Sequence, residues 1–452
     1  MKDPLGYIKA PFIRYARIEA LGGILLIIST FSALLLANSQ WGDAYRAFWN
    51  KQLIIGTDFF KLEMSLIRWL NDGLMAIFFF LLGLEIKREF IAGELSNIKQ
   101  STLPVFASIG GMIFPAGLFI ILNYNQTGIE GWGITMPTDV TLSLSILALL
   151  GRKVPIGLKV FLVGFAIVDD IGAVLKIVLS DNPYINWYYL AIAGGLLGIL
   201  ILFNYRNMRY IPAYMILGWI IWYMFFKSGI HPTMAGILIA FTIPAKRKIK
   251  LDEFSVNLIT AVDEFCDQSC QDKIMLNKQQ QSTIDNIKYY LDRVQSPVQY
   301  LENTLHGFVT YLVIPLFLFA NAGVVFNAYG METLSALTLN IGFAMVFGKL
   351  AGILLFSWLS VKFGGASLPK DTAWKHIFGV ALLGGAGFSM SLFISNLTFD
   401  NIILLNQAKL GVLLGSFTAS IFGLVFLQLT IRKNQIAENS KLRYSYKSRK
   451  SR

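Results

Sequence analysis

The chain has 452 residues, 55% hydrophobic and only 15% charged, and its mean hydropathy is +0.57. That composition excludes a soluble globule and describes a polytopic membrane protein. The net charge of +12 is not a nucleic-acid footprint, because the basic residues cluster by membrane side. Hydropathy marks about twelve candidate spans, at roughly 16–37, 64–86, 100–122, 132–150, 154–178, 187–204, 210–227, 229–244, 306–327, 335–361, 373–396 and 407–430. Several are short for a hydrocarbon core of about 30 Å at about 1.5 Å per residue. No cleavable signal peptide is expected, since the apolar run 21–37 is too long for one and lacks a small-residue cleavage site.

After the first span, the loop 38–63 carries strand-like runs at Ala47 to Trp49, Leu53 to Ile55 and Phe59 to Phe60. They predict a small hairpin over about 42–60, on the outer surface. A lone hairpin is marginal, so it needs lipid headgroups or a second copy of the chain, which makes it the expected homodimer contact. The second span ends in a charge cluster, Glu85-Ile-Lys87-Arg88-Glu89. It reads as an interfacial cap, or as a sensor if Glu302 and His306 face it from the same membrane side.

The fourth span is interrupted at Thr135-Met-Pro-Thr-Asp139, because proline removes a donor and disfavours helix at the residue before it. The fifth holds two adjacent aspartates, Asp169 and Asp170, deep in an apolar stretch. A charged side chain at that depth costs about 3 kcal/mol or more, and two carboxylates side by side repel. Such a pair binds a cation, a proton, or each in turn; the alternative is a buried polar pair satisfied by neighbouring helices. Residues 245–300 carry most of the loop charge, a Gln run at 279–281 and helix-spaced Phe254, Leu258, Val262 and Phe265. They predict one or two cytoplasmic helices with a flexible Gln-rich middle. This insertion separates eight spans over 1–244 from four over 301–430. Cys266 and Cys270 lie in it, in a reducing compartment, and two thiols without histidine are a weak metal signal.

Lys349 lies at the middle of the tenth span, where an ammonium needs an opposite charge; one of the aspartates is its natural partner. The eleventh span contains Gly384-Gly-Ala-Gly387. Those glycines either break the helix or let another backbone approach. Together with the break in the fourth span they form a matched pair of interrupted spans, the mark of a transporter site. Residues 431–452 form a basic tail suited to anionic lipid.

With the N-terminus in the cytoplasm, 31 of the 39 lysines and arginines fall on the inner side. The positive-inside rule therefore places both termini in the cytoplasm and favours an even number of spans. Asp139, Asp169, Asp170 and the Thr138 hydroxyl supply hard oxygens suited to a small cation such as Na⁺ or Li⁺. No phosphate loop, dinucleotide loop or metalloprotease helix is present. An intramembrane aspartyl protease would need Tyr-Asp and Gly-x-Gly-Asp settings, and neither occurs. The residues therefore leave a transporter of a small cation, of protons or of each in turn, or a pH- or sodium-sensing receptor without transport, and no enzyme or cofactor.

Six segments resemble the hallmarks of the NhaA family of bacterial Na⁺/H⁺ antiporters. They are Asn71 to Glu89, Val168 to Ala173, His231 to Gly236, Pro315 to Gly323, Gly348 to Gly352 and Gly387 to Ile394. The resemblance implies an all-α membrane protein of about twelve helices in a bacterial inner membrane. It further implies an inverted repeat relating spans 3–5 to 10–12 and crossed broken helices at spans 4 and 11, an architecture of which this family is a type example. It implies electrogenic exchange of Na⁺ or Li⁺ for more than one H⁺, activated at alkaline pH and serving pH homeostasis and salt tolerance. Asp169 and Asp170 would carry ion and proton, with Thr138 and Asp139 at the break and Lys349 compensating charge. Glu85, Arg88, Glu89, Glu302 and His306 would sense pH. The chain departs from the family pattern at Pro137, usually alanine, and at Val140-Thr-Leu-Ser. It departs again at Asn303, usually histidine, at Leu350, usually proline, and in the longer 245–300 loop.

Overall fold

Helix dominates the computed structural model, which describes residues 4–57, 60–93, 96, 98–151, 154–178, 185–267, 277–326, 335–369 and 371–450. In lipid every backbone polar group must be satisfied within the segment, and helices do this. Among the described residues, eight helices are long and apolar enough to cross a membrane, or ten counting each of two bent pairs as one span. The other two expected spans fall short for identifiable reasons. Ile156–Val178 carries Lys159, Asp169, Asp170 and Lys176, and Thr233–Thr242 has only 10 residues. Most of the apolar window of Trp374–Thr398, 94%, is buried, against 11% for Trp187–Tyr205. The former is therefore a core element and the latter mainly a lipid-facing one.

The chain divides into two compact units. The first holds residues 1–78, 89–183 and 307–452. It contains two trios with the same order of continuous, broken and continuous helix. One is Ile98–Leu122, Ile129–Thr135 with Val140–Leu149, and Ile156–Val178. The other is the helix over 336–363, Trp374–Gly384 with Phe388–Thr398, and Ile402–Lys450. The continuous helices that open the two trios touch backbone to backbone. A Cβ on Gly110 would strike the Gly352 carbonyl, and one on Gly348 would stand 2.6 Å from the Pro115 Cα. Lipid supplies no hydrophobic drive between helices, so small residues at the contact provide the dispersion attraction. The break at Gly385 to Gly387 answers both readings of its glycines. The helix stops there, and a Cβ on Gly387 would come 2.7 Å from the Pro137 carbonyl oxygen.

The second unit holds residues 79–88 and 184–306. Trp187–Tyr205 packs on Ile211–Ser228, and Leu251–Asp267 packs on Lys278–Val294. Three expectations change here. The Gln run is not a flexible middle but the first turn of Lys278–Val294, because Asn277 and Gln280 form a reciprocal cap. Val262 is exposed while Ala261 is buried, so the packed face of Leu251–Asp267 runs through Phe254, Leu258, Ala261 and Phe265. The ninth membrane helix begins at Pro297, a favoured first helical residue, rather than at His306.

The predicted hairpin exists but is shifted. Gln52–Thr57 pairs antiparallel with Phe60–Ser65, with Gln52 opposite Ser65. Ala47 to Trp49 belong to the helix Gly42–Trp49, not to a strand. Trp49 is buried against Phe319, with ring centroids 6.1 Å apart, and the neighbouring Tyr45 hydroxyl donates to the Phe319 carbonyl. That tertiary contact selects helix for a short apolar run that either structure would accommodate. The side chains of Cys266 and Cys270 and of the basic tail beyond Ile431 lie outside the described residues.

Candidate ion-binding site

The break of the fourth span leaves Met136 to Asp139 without helix. Asp139 ends it as the N-cap of Val140–Leu149, its carboxylate accepting from the Leu142 amide at 3.0 Å. The same carboxylate crosses to the other broken helix. It accepts from the Ser389 amide at 3.0 Å and the Ser389 hydroxyl at 2.5 Å. The Asp139 amide donates to the Ala386 carbonyl at 2.7 Å. One buried carboxylate thus faces the N-termini of two half-helices, where the orphan amides and the helix dipole favour negative charge.

The second carboxylate of the site is Asp169, fully buried on Ile156–Val178. Its Oδ2 accepts from the Lys349 ammonium and lies 2.7 Å from the Thr138 hydroxyl. Its Oδ1 accepts from the Ser108 hydroxyl at 2.9 Å. Lys349 also donates to Thr138 at 2.7 Å, and the Thr138 oxygen lies 2.8 Å from the Gly384 carbonyl. A hydroxyl has one proton, so at any instant Thr138 donates either to Asp169 or to Gly384 while accepting from Lys349. Asp170 is buried as well. Successive helical side chains point about 100° apart, so Asp170 leaves the helix in a different direction from Asp169.

Of the expected site residues, Thr138, Asp169 and Lys349 form one hydrogen-bonded group. Asp139 is next to Thr138 in the chain but is committed to the helix caps, and Asp170 is a buried neighbour. The charge cluster lies elsewhere. Arg88 pairs with Glu302 at 3.2 Å, half-buried. Glu85 and His306 belong to the same unit and are half-buried, whereas Glu89 is buried and belongs to the other unit.

Two contributors to the site, Ser389 and Ser108, escaped sequence reasoning, and so did the partners of Lys87 in the charge cluster. Ser389 lies inside a quoted motif, but nothing local shows that its amide and hydroxyl meet Asp139. Ser108 is the one hydroxyl of the apolar run 103–122, a faint signal because serine often satisfies itself on its own backbone. Lys87 donates to the Phe241 and Ile243 carbonyls at 2.6 and 2.5 Å, closing the C-terminal end of Thr233–Thr242. Cations favour that end of a helix.

Comparison with known proteins gives the family. A family model described as Na⁺/H⁺ antiporter 1 matches residues 13–427. The Na⁺/H⁺ antiporter NhaA of Christiangramia forsetii is 41% identical over 438 residues, covering 96% of this chain and 97% of that protein. Its namesake in Phocaeicola vulgatus is 41% identical over 440 residues, covering 94% and 97%. The one in Sulfurimonas denitrificans is 42% identical over 425 residues, covering 93% and 96%. Proteins so named are transporters, not enzymes. With two broken helices meeting at a buried aspartate, a lysine–aspartate pair beside them and a match over nearly its whole length, the chain belongs to the NhaA family of Na⁺/H⁺ antiporters.

Proposed function

We propose that this protein expels Na⁺ or Li⁺ across the bacterial plasma membrane in exchange for protons, with Asp169 and Asp170 as the competing site. The observation that carries this reading is the charge balance. Three carboxylates, Asp139, Asp169 and Asp170, are buried on the fourth span and the helix that follows it, and the buried ammonium of Lys349 pairs with one of them, Asp169. Buried charge is tolerated only when paired, so the excess negative charge calls for a cation or protons. Asp139 is stabilised by helix ends, which leaves Asp169 and Asp170 to exchange partners.

In the geometry described, Lys349 and Thr138 satisfy Asp169. An arriving Na⁺ takes the place of the ammonium at Oδ2, with Thr138 and Asp170 supplying further oxygens. Protons on the two aspartates return the site to its cation-free form. Two carboxylates take up to two protons but share one Na⁺, so each cycle moves net charge and exchange is electrogenic. Raising the pH removes the competing protons and favours Na⁺ binding. Alternating access is motion of the helices that carry the crossed breaks. Both termini are cytoplasmic by the distribution of basic residues. Leu53, Ile54 and Ile55, exposed on the hairpin, suit pairing with a second copy.

The testing experiment is a pH-jump fluorescence assay in everted vesicles, adding Na⁺, Li⁺ and K⁺ in turn. Na⁺-dependent proton release is expected; its absence from protein shown to be inserted and folded overturns the reading. In the same assay Thr138→Val should raise the apparent KM for Na⁺ about tenfold, the cost of one hydrogen bond to a charged group. Its maximal rate should change far less. An unchanged KM would make the break a structural feature only.

The charge cluster of Glu85, Arg88, Glu89, Glu302 and His306 is proposed to set the activation pH. Histidine is the side chain whose charge most readily changes near neutral pH, and His306 is the one imidazole of this cluster. His306→Ala keeps that position uncharged at every pH and should move the activation midpoint to lower pH. With Asn303 in place of a second histidine, the wild-type response should be shallow. Activity from about pH 6 to about pH 9 checks both; an unshifted midpoint would assign the pH response to the aspartates alone.

A further inference from the structure

We infer that Ser108 is a positioning residue of the cation site, holding Asp169 Oδ1 so that Oδ2 alone changes partner between Lys349 and the transported ion. This rests on the reading of Asp169 as the cation carrier. Ser108 is fully buried on Ile98–Leu122, and its hydroxyl donates to Asp169 Oδ1 at 2.9 Å rather than to its own helix. Gly111 follows one turn later on the same face, and a Cβ there would lie 3.7 Å from the same oxygen. Oδ1 therefore faces Ile98–Leu122, whereas Lys349 and Thr138 both engage Oδ2.

The two sides differ in freedom to move. Ile98–Leu122 is locked by backbone contact of Gly110 with Gly352 and of Pro115 with Gly348, so Ser108 has little slack. Oδ2 faces a lysine on a flexible stem and a threonine at a helix break. The carboxylate is thus anchored at one oxygen and exchangeable at the other. Without the Ser108 hydroxyl it is free to rotate and offer both oxygens to one cation. Two-oxygen coordination suits larger ions with longer contacts, and smaller ions demand tighter, more regular geometry. Ser108 should therefore favour Li⁺ relative to Na⁺ as well as strengthening both.

The test compares wild type, Ser108→Ala and Ser108→Thr for apparent KM and maximal rate with Na⁺ and with Li⁺. Direct binding of each ion to the detergent-purified proteins at alkaline pH accompanies the transport assay. Alanine removes one oxygen from a packed helix, so the fold should persist, and a melting curve in detergent verifies it. The expected result is a rise of about tenfold in KM and in the dissociation constant for Li⁺, a smaller rise for Na⁺, and a modest change in maximal rate. Ser108→Thr, which retains the hydroxyl, should bring the Li⁺ to Na⁺ ratio back toward wild type. If Ser108→Ala leaves that ratio unchanged in binding, the inference is overturned, whether or not the rate or melting temperature falls. A wild type that binds both ions but exchanges neither would overturn the antiport reading instead, while the binding ratio still judges Ser108.

Discussion

The Asp170→Asn protein is expected to insert and melt like the wild type yet show no Na⁺-dependent proton movement in vesicles. Asparagine keeps the shape and hydrogen-bonding capacity of aspartate but carries neither a charge nor a titrating proton. Asp169→Asn should also abolish exchange, with a second effect that separates the two positions. Asp169 is the carboxylate paired with the fully buried Lys349, so its neutralisation leaves the ammonium without that partner and should lower the melting temperature in detergent. Dye-reported proton release and a melting curve on the same preparations check both claims. Exchange at the wild-type rate by Asp170→Asn would remove it from the shared site. Equal melting of the two variants would contradict the pairing.

Lys349→Ala should destabilise the protein by about 3–5 kcal/mol, the cost of removing one partner from a buried ion pair. Asp169 would keep the hydroxyls of Ser108 and Thr138 but lose its cationic hydrogen-bond donor, Lys349. The double variant Lys349→Ala with Asp169→Asn should recover part of the loss, since Asp169 is then no longer a buried charge without its partner. Their non-additivity measures the coupling directly. Lys349→Arg should keep more stability than alanine, though a planar guanidinium does not reproduce an ammonium that reaches both Asp169 and Thr138. An alanine variant that melts with the wild type would show that the pair contributes nothing to the fold.

Much of this protein is legible in its order of residues because a lipid core imposes blunt rules. Span length follows bilayer thickness, and a charge within a span stands out against hydrocarbon. Asp139, Asp169, Asp170 and Lys349 are visible for that reason, and so are the breaks at Pro137 and at Gly384 to Gly387. Errors occurred where those rules lapse. Ala47 to Trp49 and the Gln run at 279–281 lie outside the spans, where a tertiary contact and a reciprocal cap chose helix.

The choice of partners belongs to the tertiary structure. Most of the membrane helices are apolar all round, so their periodicity does not reveal which face turns inward. Nothing local distinguishes Asp169 from Asp170 as the partner of Lys349, 180 residues away. Nor does it join Asp139 to Ser389 or Ser108 to Asp169. Those pairings follow from glycine contacts that set the register between helices, Gly110 on Gly352 and Gly387 against Pro137. The sequence by itself determined that buried carboxylates and a lysine share a membrane with two broken helices. Only packing decided which oxygen each donor meets, because hydrogen bonds have directions and ranges that hydropathy does not contain.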